Sequence, residues 1–439
     1  MKDTPINYEI VTQKIKESGI TKIGDASIRE IKKLVDMIEQ ATGEKFIRME
    51  MGIPGLPPLK IGVEAQKAAL DRGVAAIYPD IFGVKPLKTE IARFVKNFLN
   101  VDVSEEGCIP TVGSMQGSFA AFMTLNRMYK DREGTLFIDP GFPVHKQQLR
   151  VMGQGWESFD VYDYRGEKLR DKLESYLKTG RFCTILYSNP NNPSWICFTN
   201  EELRIIGELA NKYNIIVIED LAYFAMDFRK DFSKPGEPPY QPSVANYTDN
   251  YVLLISSSKA FSYAGERLGM MVISDKLFQT NASDLLRFYR SDNVGVAMIF
   301  GTMYSLSSGA NHSSQYAIAA ILKEVNDGNF NFVDVVKEYG EKAKIMKKIF
   351  LNNGFKIVYD KDIDRPIADG FYFTFSYPGF SGAELLEKMI YYGISAITLD
   401  ITGSERHEGI RACVSLVQRE QFPDLEYRLN KFHEHHKID

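Results

Sequence analysis

The chain has 439 residues, a net charge of −4, and 44% hydrophobic and 25% charged residues, which are the proportions of an ordinary globular protein. At this length two domains are the default, because one hydrophobic core stops growing at roughly 250 to 300 residues. The near balance of 53 basic and 57 acidic residues favours neither nucleic acid nor an anionic membrane as a partner. No apolar run reaches the roughly 18 residues of a membrane span, and no signal peptide is visible, so we expect a cytoplasmic protein without a membrane partner.

The four cysteines do not form a metal or redox motif. Cys108, Cys183, Cys197 and Cys413 are scattered along the chain without a short paired spacing. Zinc and thiol-exchange sites generally need such a spacing. We therefore predict buried, reduced thiols and no metal site.

The first fifty residues contain a helical pattern, and a Gly and Pro run follows it. The apolar residues at 28, 31, 34, 35 and 38 recur at helical spacing after Ser27, which is a plausible helix cap. Residues 51–58, which read MGIPGLPP, are too rich in Gly and Pro for a regular element. We interpret this run as a crossing between two domains.

Residues 62 to about 310 alternate strand-like and helix-like segments. This alternation predicts βαβ units and a mostly parallel sheet with helices on both faces. Such sheets bind ligands beyond the carboxyl ends of their strands. The predicted strands are Thr135 to Ile138, Cys183 to Tyr187, Ile215 to Ile218, Val252 to Ile255 and Met270 to Ile273.

Polar side chains follow three of these strands. A loop rich in Asn and Pro, residues 188–194, comes after the second strand, and Asp220 and Tyr223 come after the third. Ser256 and Lys259 follow the fourth, on what we expect to be a loop. Upstream, the small residues 111–117 open a helix whose free amide groups would attract phosphate. Each feature alone also fits a turn or a helix cap.

The segment around Lys259 indicates a specific chemistry. A lysine held away from water loses part of its preference for the charged form, and a neutral amine can condense with an aldehyde. Arg267, eight residues later, and the neighbouring serine hydroxyls would suit a phosphate group. The alternative from this segment alone is a surface lysine and arginine that flank a turn.

The pattern changes at about residue 325. A long amphipathic helix, Phe332 to Phe350, precedes mixed strands and helices that indicate a smaller α+β domain. The predicted strands are Phe355 to Val358, Phe371 to Phe375 and Val414 to Leu416, and a helix is predicted from Ala383 to Tyr391. We expect residues 1–50 to join this small domain, 51–320 to form the large domain, and 321–439 to complete the small one.

The order of these motifs, from about Gly52 to Arg411, resembles the class I and II aminotransferases, the aspartate aminotransferase-like family of fold-type I enzymes. The elements that carry the resemblance are Tyr78 with Gly83 and Leu87, Asn192, Asp220 with Tyr223, Ser256 with Lys259, Arg267, and Gly409 to Arg411. The resemblance implies an α/β fold with a mostly parallel seven-stranded sheet, pyridoxal 5'-phosphate as cofactor, and a homodimer with shared active sites. Amino acids and 2-oxo acids are the implied substrates.

The resemblance also implies a role for each matched residue. Lys259, Asp220 and Tyr223 are the implied catalytic residues, since the lysine forms the Schiff base and moves the proton. The implied substrate residues are Arg411, which binds the α-carboxylate, and Gly52, Asn192 and Trp195. The implied cofactor residues are Tyr78, Ser114, Met115, Gln116, Phe142, Asn192, Asp220, Tyr223, Ser256, Lys259 and Arg267.

Two segments depart from the family pattern. Pro193-Ser194-Trp195 replaces the usual P-T-G, so that an indole takes the place of a glycine. Trp195 is predicted either to narrow the site as a specificity residue or to belong to the core. The loop Thr398 to Gly403 lacks the family's P-G-x-x-F-G pattern, which leaves the substrate open.

The leading interpretation is an aminotransferase that transfers the amino group of an L-amino acid to a 2-oxo acid. The alternative is a C–S lyase or another enzyme of α-amino-acid carbanion chemistry, because the same residues begin these reactions. A cofactor-sensing regulator is disfavoured, since the roughly 50 residues before Gly52 show no basic helix-turn-helix pattern.

Overall fold

The structure, a computed structural model, describes residues 3–437, which fall into two compact units. The large unit comprises Leu56–Pro190 and Cys197–Val336. The small unit comprises the residues up to Gly55, the short segment Asn191–Ile196, and the residues from Lys337 onward. Over residues 3–437, no helix is both long enough and apolar enough to cross a membrane.

The regular elements are numbered in chain order. The helices are α1 (Tyr8–Ser18), α2 (Ile28–Thr42), α3 (Lys60–Asp71), α4 (Lys85–Leu99), α5 (Gly113–Leu125), α6 (Pro143–Val151), α7 (Lys168–Leu177), α8 (Asn200–Tyr213), α9 (Ser257–Ala260), α10 (Asp275–Gln279), α11 (Val294–Val296), α12 (Tyr304–Ser307), α13 (His312–Asn326), α14 (Phe332–Asn352), α15 (Gly382–Tyr391) and α16 (Phe422–His436). The strands are β1 (Ile47–Arg48), β2 (Cys108–Val112), β3 (Thr135–Asp139), β4 (Trp156–Asp160), β5 (Thr184–Ser188), β6 (Ile216–Leu221), β7 (Tyr251–Ser256), β8 (Leu268–Ile273), β9 (Lys356–Ile357), β10 (Lys361–Asp362), β11 (Arg365–Pro366), β12 (Tyr372–Ser376), β13 (Ile394–Ser395), β14 (Ile397–Thr398) and β15 (Ile410–Cys413).

The large unit is built on a seven-stranded sheet with the order β2-β8-β7-β6-β5-β3-β4. Only β8 runs antiparallel to its neighbours, so the sheet is mostly parallel, as predicted. Every residue of β3, β5, β6, β7 and β8 is buried, because helices cover a sheet of this kind on both faces. The register pairs Asp220 with Ser188 on one side and with Leu254 on the other. The ends of β5, β6 and β7 are therefore neighbours at one edge, which confirms the predicted α/β fold.

Local sequence signals explain several helix starts. Ser27 caps α2: its hydroxyl accepts the Glu30 amide at 3.3 Å, and the Glu30 carboxylate accepts the Ser27 amide at 2.8 Å. Thr199 and Glu202 repeat this capping box at the start of α8. Such reciprocal bonds satisfy amides that a helix start leaves without partners. The predicted helix after Ser27 is confirmed.

The small unit contains a four-stranded sheet, β14-β15-β12-β9, whose paired strands are antiparallel. The strand predicted at Val414 to Leu416 is wrong, because β15 ends at Cys413. Beyond that point the chain turns, and the Ser415 hydroxyl donates to the carbonyl oxygen of Ile53 at 2.5 Å. The four cysteines of the chain are buried and not disulfide-bonded, as predicted.

Candidate active site

Lys259 lies one turn beyond the carboxyl end of β7. The sequence predicts a loop here, but the structure has the four-residue helix α9. The Ser256 hydroxyl caps this turn by accepting the Ser258 amide at 3.2 Å, and the Ser257 hydroxyl donates to the carbonyl oxygen of Leu268. These bonds tie the lysine segment to both flanking strands, so that the start of the Lys259 side chain is held by rigid elements.

Asp220 is a buried carboxylate near the end of β6. Its residue surface is 6% exposed, and its side chain accepts the Ala222 amide at 3.1 Å. Burial raises the pKa of Asp220 to about 6, while the Ala222 amide and the positive charge of Lys259 act in the opposite direction. Removal from water disfavours an ionised carboxylate, so this site favours a cationic partner.

His145 is a site residue that the sequence reasoning missed. Its Nε2 lies 3.9 Å from Oδ2 of Asp220, and its ring meets that of Phe142 edge to face at 5.5 Å. Burial lowers the pKa of His145 to about 4, so the imidazole is neutral at pH 7. The position three residues after Phe142, one turn into α6, is the signal that could have found it.

The start of α5 offers donors for an anion. Gly113 has φ +64°, and a Cβ built on it would lie 2.5 Å from Nη2 of Arg267. A Cβ on Gly269 would lie 2.5 Å from the amide nitrogen of Ser114. Two glycines therefore let a guanidinium and a strand approach the helix start, where the first amides lack helical partners.

Neighbouring contacts fix the first turn of α5. The Gln116 side chain accepts the Val112 amide at 2.7 Å and donates to the Ser307 hydroxyl at 2.6 Å. The carbonyl oxygen of Met115 accepts the Gln148 side chain at 2.8 Å. Arg267 donates to the carbonyl oxygen of Ala264 at 2.8 Å. The helix start and the arginine are thus each held by hydrogen bonds.

Two predicted aromatic residues of the large unit differ sharply in exposure. Tyr78 is 89% exposed, whereas Tyr223 is buried just beyond β6. In the element that contains Tyr78, Gly83 has φ +95° and packs against Pro110, where a Cβ would lie 2.4 Å from its ring. Leu87 is fully buried in α4. A glycine and a leucine therefore anchor this element while its tyrosine faces outward.

The small unit carries a second group of predicted residues around Arg411. Although Arg411 is only 1% exposed, its Nε has no hydrogen-bond partner among the described residues. Nη1 donates to Oδ1 of Asn192 at 3.3 Å, and Nη2 donates to the carbonyl oxygen of Glu50 at 2.5 Å. The guanidinium carbon lies 4.6 Å from the centroid of the Tyr372 ring. A buried cation held by neutral groups is suited to a carboxylate ligand.

Gly52 and Trp195 adjoin the same aromatic ring. A Cβ on Gly52 would lie 2.1 Å from the Tyr372 hydroxyl oxygen, so this position has no room for a side chain. The Trp195 ring lies 6.1 Å from that of Tyr372 at an interplanar angle of 65°. Trp195 is 0% exposed. Its role as a substrate residue stays a prediction.

The residues of the large unit fit the cofactor that the resemblance implies. Pyridoxal phosphate combines an anionic phosphate, a basic ring nitrogen and an aldehyde. The glycine-lined start of α5 with Arg267 suits the phosphate, the buried Asp220 suits a protonated nitrogen, and Lys259 suits the aldehyde. The donor set therefore matches each part of that molecule.

Comparison with known proteins agrees with this assignment. The profile of the family "Aminotransferase class I and II" matches residues 44–416. A probable aspartate aminotransferase of Methanocaldococcus jannaschii is 26% identical over 379 residues, 85% of this chain and 88% of that protein. A (5-formylfuran-3-yl)methyl phosphate transaminase of the same organism is 22% identical over 82% of this chain and 84% of its own length. The solved alanine aminotransferase of Pyrococcus furiosus shares the fold, with a TM-score of 0.76 at 20% identity over 94% of this chain and 98% of that one.

Proposed function

This chain belongs to the class I and II aminotransferase family, and we propose that it transfers the amino group of an L-amino acid to a 2-oxo acid with pyridoxal 5'-phosphate. The observation that carries the proposal is the arrangement in the large unit. Lys259 follows β7, the buried Asp220 ends the neighbouring strand β6, and Arg267 lies against the start of α5. The relatives described above are transaminases, and none of them favours the lyase alternative.

In the large unit, each part of the cofactor has its own protein group. Asp220 serves the ring nitrogen, Lys259 the aldehyde, and the donors around the start of α5 the phosphate. When bound, the cofactor supplies a ring that accepts electrons from the substrate α-carbon. Asp220 keeps the ring nitrogen protonated, because a buried carboxylate is stabilised by a positive charge. His145, a neutral imidazole at pH 7, lies beside the Asp220 carboxylate, with its Nε2 3.9 Å from Oδ2. Ser114, Ser256 and Arg267 bind the phosphate, and Phe142 and Tyr223 contact the ring.

Lys259 serves twice in this proposal. It would hold the aldehyde end of the cofactor through its amine, and as a free amine it would take the proton from the substrate α-carbon. Its position at the end of a rigid strand limits the volume that the amine can sample. That restriction favours proton transfer between two fixed carbon atoms.

Arg411 and Asn192 orient the substrate. A guanidinium that keeps two donors on fixed partners presents its remaining edge to a carboxylate in one orientation. Fixing the α-carboxylate fixes the direction of the α-hydrogen, and hence which bond breaks. The absence of a side chain at Gly52 leaves room for the Tyr372 ring, over which the Arg411 guanidinium lies.

The relatives do not indicate one side chain for the substrate. Their names refer to aspartate, to a furan-ring methyl phosphate and to alanine. Those names share the transfer of an amino group and differ in the molecule that takes part in it. We propose an L-amino acid as donor and a 2-oxo acid as acceptor, and leave the side chain to experiment.

We also propose a cytoplasmic homodimer in which Tyr78 reaches the phosphate site of the second subunit. The exposure of Tyr78 supports this role, since 89% of its surface is open to a partner. We further propose that residues 51–320 form the large domain and that residues 1–50 and 321–439 form the small one.

The test is a spectroscopic screen of the purified protein loaded with pyridoxal phosphate. Single L-amino acids are added first, and single 2-oxo acids afterwards. We expect at least one amino acid to remove the absorption of the lysine-bound cofactor and one oxo acid to restore it. Accumulation of pyruvate or ammonia without that reversal would instead support the lyase. No change with any amino acid would contradict both.

A further inference from the structure

Two aromatic residues and two glycines of the small unit form one packed group around Arg411. The group consists of Trp195, Tyr372 and the glycines Gly370 and Gly52, and it is called the aromatic brace below. A Cβ on Gly370 would lie 2.0 Å from Cε2 of Trp195. The indole thus occupies the space that a side chain at position 370 would need. Trp195 can adopt this position only because residue 370 is a glycine.

Trp195 keeps this position in an unfavourable backbone conformation. Its φ is +63°, in the left-handed region that favours glycine. The Trp195 amide donates to the carbonyl oxygen of Asn191 at 3.0 Å, and the Ser194 amide donates to Oδ1 of Asn191 at 3.1 Å. A bulky residue persists in such a conformation only where the surrounding contacts outweigh the strain.

The indole acts on Arg411 through Tyr372. The Trp195 ring packs against the Tyr372 ring at 6.1 Å and 65°, and the Tyr372 hydroxyl lies against Gly52. Both aromatic residues are buried, so that each limits the space open to the other. The guanidinium of Arg411 lies over this ring at 4.6 Å, which is cation–π distance. Because the contact is desolvated, it is stronger than the same contact in water.

We propose that Trp195 is a positioning residue for substrate binding: through Tyr372 it fixes the plane of the Arg411 guanidinium, and so the orientation of the substrate carboxylate. The inference rests on the proposed function, because it assigns to Arg411 the binding of that carboxylate. It predicts that loss of the indole weakens the binding of carboxylates and leaves the chemistry at the α-carbon largely intact.

The first test compares Trp195→Gly, Trp195→Phe and Tyr372→Leu with the parent enzyme in steady-state kinetics on its best amino acid. We expect Trp195→Gly and Tyr372→Leu to raise KM about tenfold, equivalent to about 1.4 kcal/mol, with kcat changed by less than about threefold. Trp195→Phe restores most of the parent KM. The Ki of the carboxylic acid that lacks the amino group should rise by the same factor as KM.

Phe355→Leu is the matched control. Phe355 is a buried aromatic residue of the same unit that packs against Phe375, Tyr377 and Phe432, and none of its ring contacts within residues 3–437 reaches the brace. Its truncation costs packing energy of a similar kind, and KM should stay within about twofold. Equal rises in KM for the control and for Trp195→Gly would reduce Trp195 to a packing residue and overturn the proposal. A fall in kcat alone would do the same.

Crystal structures of the parent and Trp195→Gly proteins provide a test that needs no turnover. We expect the Arg411 guanidinium to leave its 4.6 Å position over Tyr372 in the variant. An unmoved guanidinium would contradict the proposed positioning role of Trp195, even if the enzyme is an aminotransferase. Conversely, failure of every amino acid to react would overturn the proposed function, while the crystallographic result would still decide on the brace. If Trp195→Gly does not fold, Trp195→Leu, which also removes the indole ring, replaces it in both the kinetics and the crystal.

Discussion

At the scale of single residues, the account depends on Lys259 and Asp220. One is an amine after β7 and the other a buried acid on the neighbouring strand, and the charge of the lysine lowers the pKa of the acid. The position of each is explained by its strand, since the carboxyl ends of parallel strands meet at one edge. Two substitutions test their separate roles.

Replacing Lys259 with alanine should abolish turnover and spare phosphate binding. The lysine is the proposed base at the α-carbon, and removal of such a base costs about 10²- to 10⁴-fold or more in rate. We expect kcat to fall by at least about a thousandfold, while equilibrium dialysis still detects cofactor bound through Arg267 and α5. Lys276→Ala, in the exposed first turn of α10, is the control. Full activity of the Lys259 variant would refute the assignment.

Replacing Asp220 with asparagine should stabilise the protein without cofactor at neutral pH. Burial raises the pKa of Asp220 from 3.8 to about 6. Between these values the folded state binds more protons than the unfolded state, so the free energy of unfolding falls as pH rises through this window. At pH 8 the ionised group costs up to about 3 kcal/mol, which the variant avoids.

Urea unfolding at pH 4 and pH 8 measures this effect. The Asp220→Asn variant should exceed the parent in stability at pH 8 and approach it at pH 4. Asp71→Asn, an exposed carboxylate at the end of α3, should show no such divergence. A variant less stable than the parent at pH 8 would mean that Asp220 is ionised at no net cost.

Sequence patterns could predict residues whose spacing is local, and they missed those defined by distant contacts. Asp220 and Lys259 follow readable apolar runs, and so their places near strand ends were predictable. Their elements were not, since Asp220 lies within β6 and Lys259 lies in the helix α9 rather than on a loop. His145 was missed because its partner Asp220 is 75 positions away in the chain. The burial of Trp195 depends on Gly370, which no local pattern connects to it.

At the scale of elements, the start of α5 is the feature that local sequence only partly explains. Small residues at 111–117 predict a helix start that can bind an anion, but they do not reveal which strand packs against it. In the structure Gly269 of β8 fills that role, since its Cα lies against the Ser114 amide. Close approach of two backbones requires the absence of a side chain.

Substituting Gly269 with alanine should weaken cofactor binding. The added Cβ would lie 2.5 Å from the Ser114 nitrogen, so that the first turn of α5 must shift. We expect the Kd for pyridoxal phosphate to rise at least about tenfold by fluorescence titration, because backbone donors bind phosphate only in a fixed geometry. Gly265→Ala in the same segment meets no atom within 4 Å and serves as control. Equal affinities of the two variants would contradict the phosphate site.

Element bounds were predicted closely where apolar runs are clear. The strand read at Val252 to Ile255 is β7 (Tyr251–Ser256), and the helix read at Ala383 to Tyr391 is α15 (Gly382–Tyr391). The error at Val414 to Leu416 came from an apolar run that continues past the end of β15. Apolar side chains at that point belong to a turn whose shape is set by distant groups, including Ile53.

At the scale of the whole molecule, the large unit exposes apolar side chains in two adjoining segments. Ile77 and Tyr78 lie in one, and Phe300 and Tyr304 lie in the helical segment from α11 through the π-helix Ala297–Met303 to α12. The Phe82 ring meets the Phe300 ring at 5.3 Å, which joins the two segments. Exposed apolar surface of this kind is suited to the proposed contact between two subunits.

We predict that Tyr304→Asp disrupts the proposed homodimer. A charge at the centre of an apolar contact is costly to bury without a partner. Light scattering should give the parent twice the 49.8 kDa chain mass and the variant that mass once, with activity lost because Tyr78 no longer reaches a second subunit. Val151→Asp, at an exposed apolar position of α6, is the control. A monomeric parent with full activity would contradict the shared site.

The division into two units includes one assignment that the sequence could not predict. The segment Asn191–Ile196 is flanked on both sides by residues of the large unit, yet it packs with the small one. Its assignment follows from contacts such as Arg411 with Asn192, between residues more than two hundred positions apart. Composition and periodicity carry no information on such a contact.

The most direct test of the central claim is to find which lysine holds the cofactor. The loaded protein is reduced with borohydride, digested, and its peptides are analysed by mass spectrometry. The account predicts that the reduced cofactor is attached to Lys259, and that prior exposure to a reactive amino acid prevents the attachment. Attachment to another lysine, or to none, would contradict it.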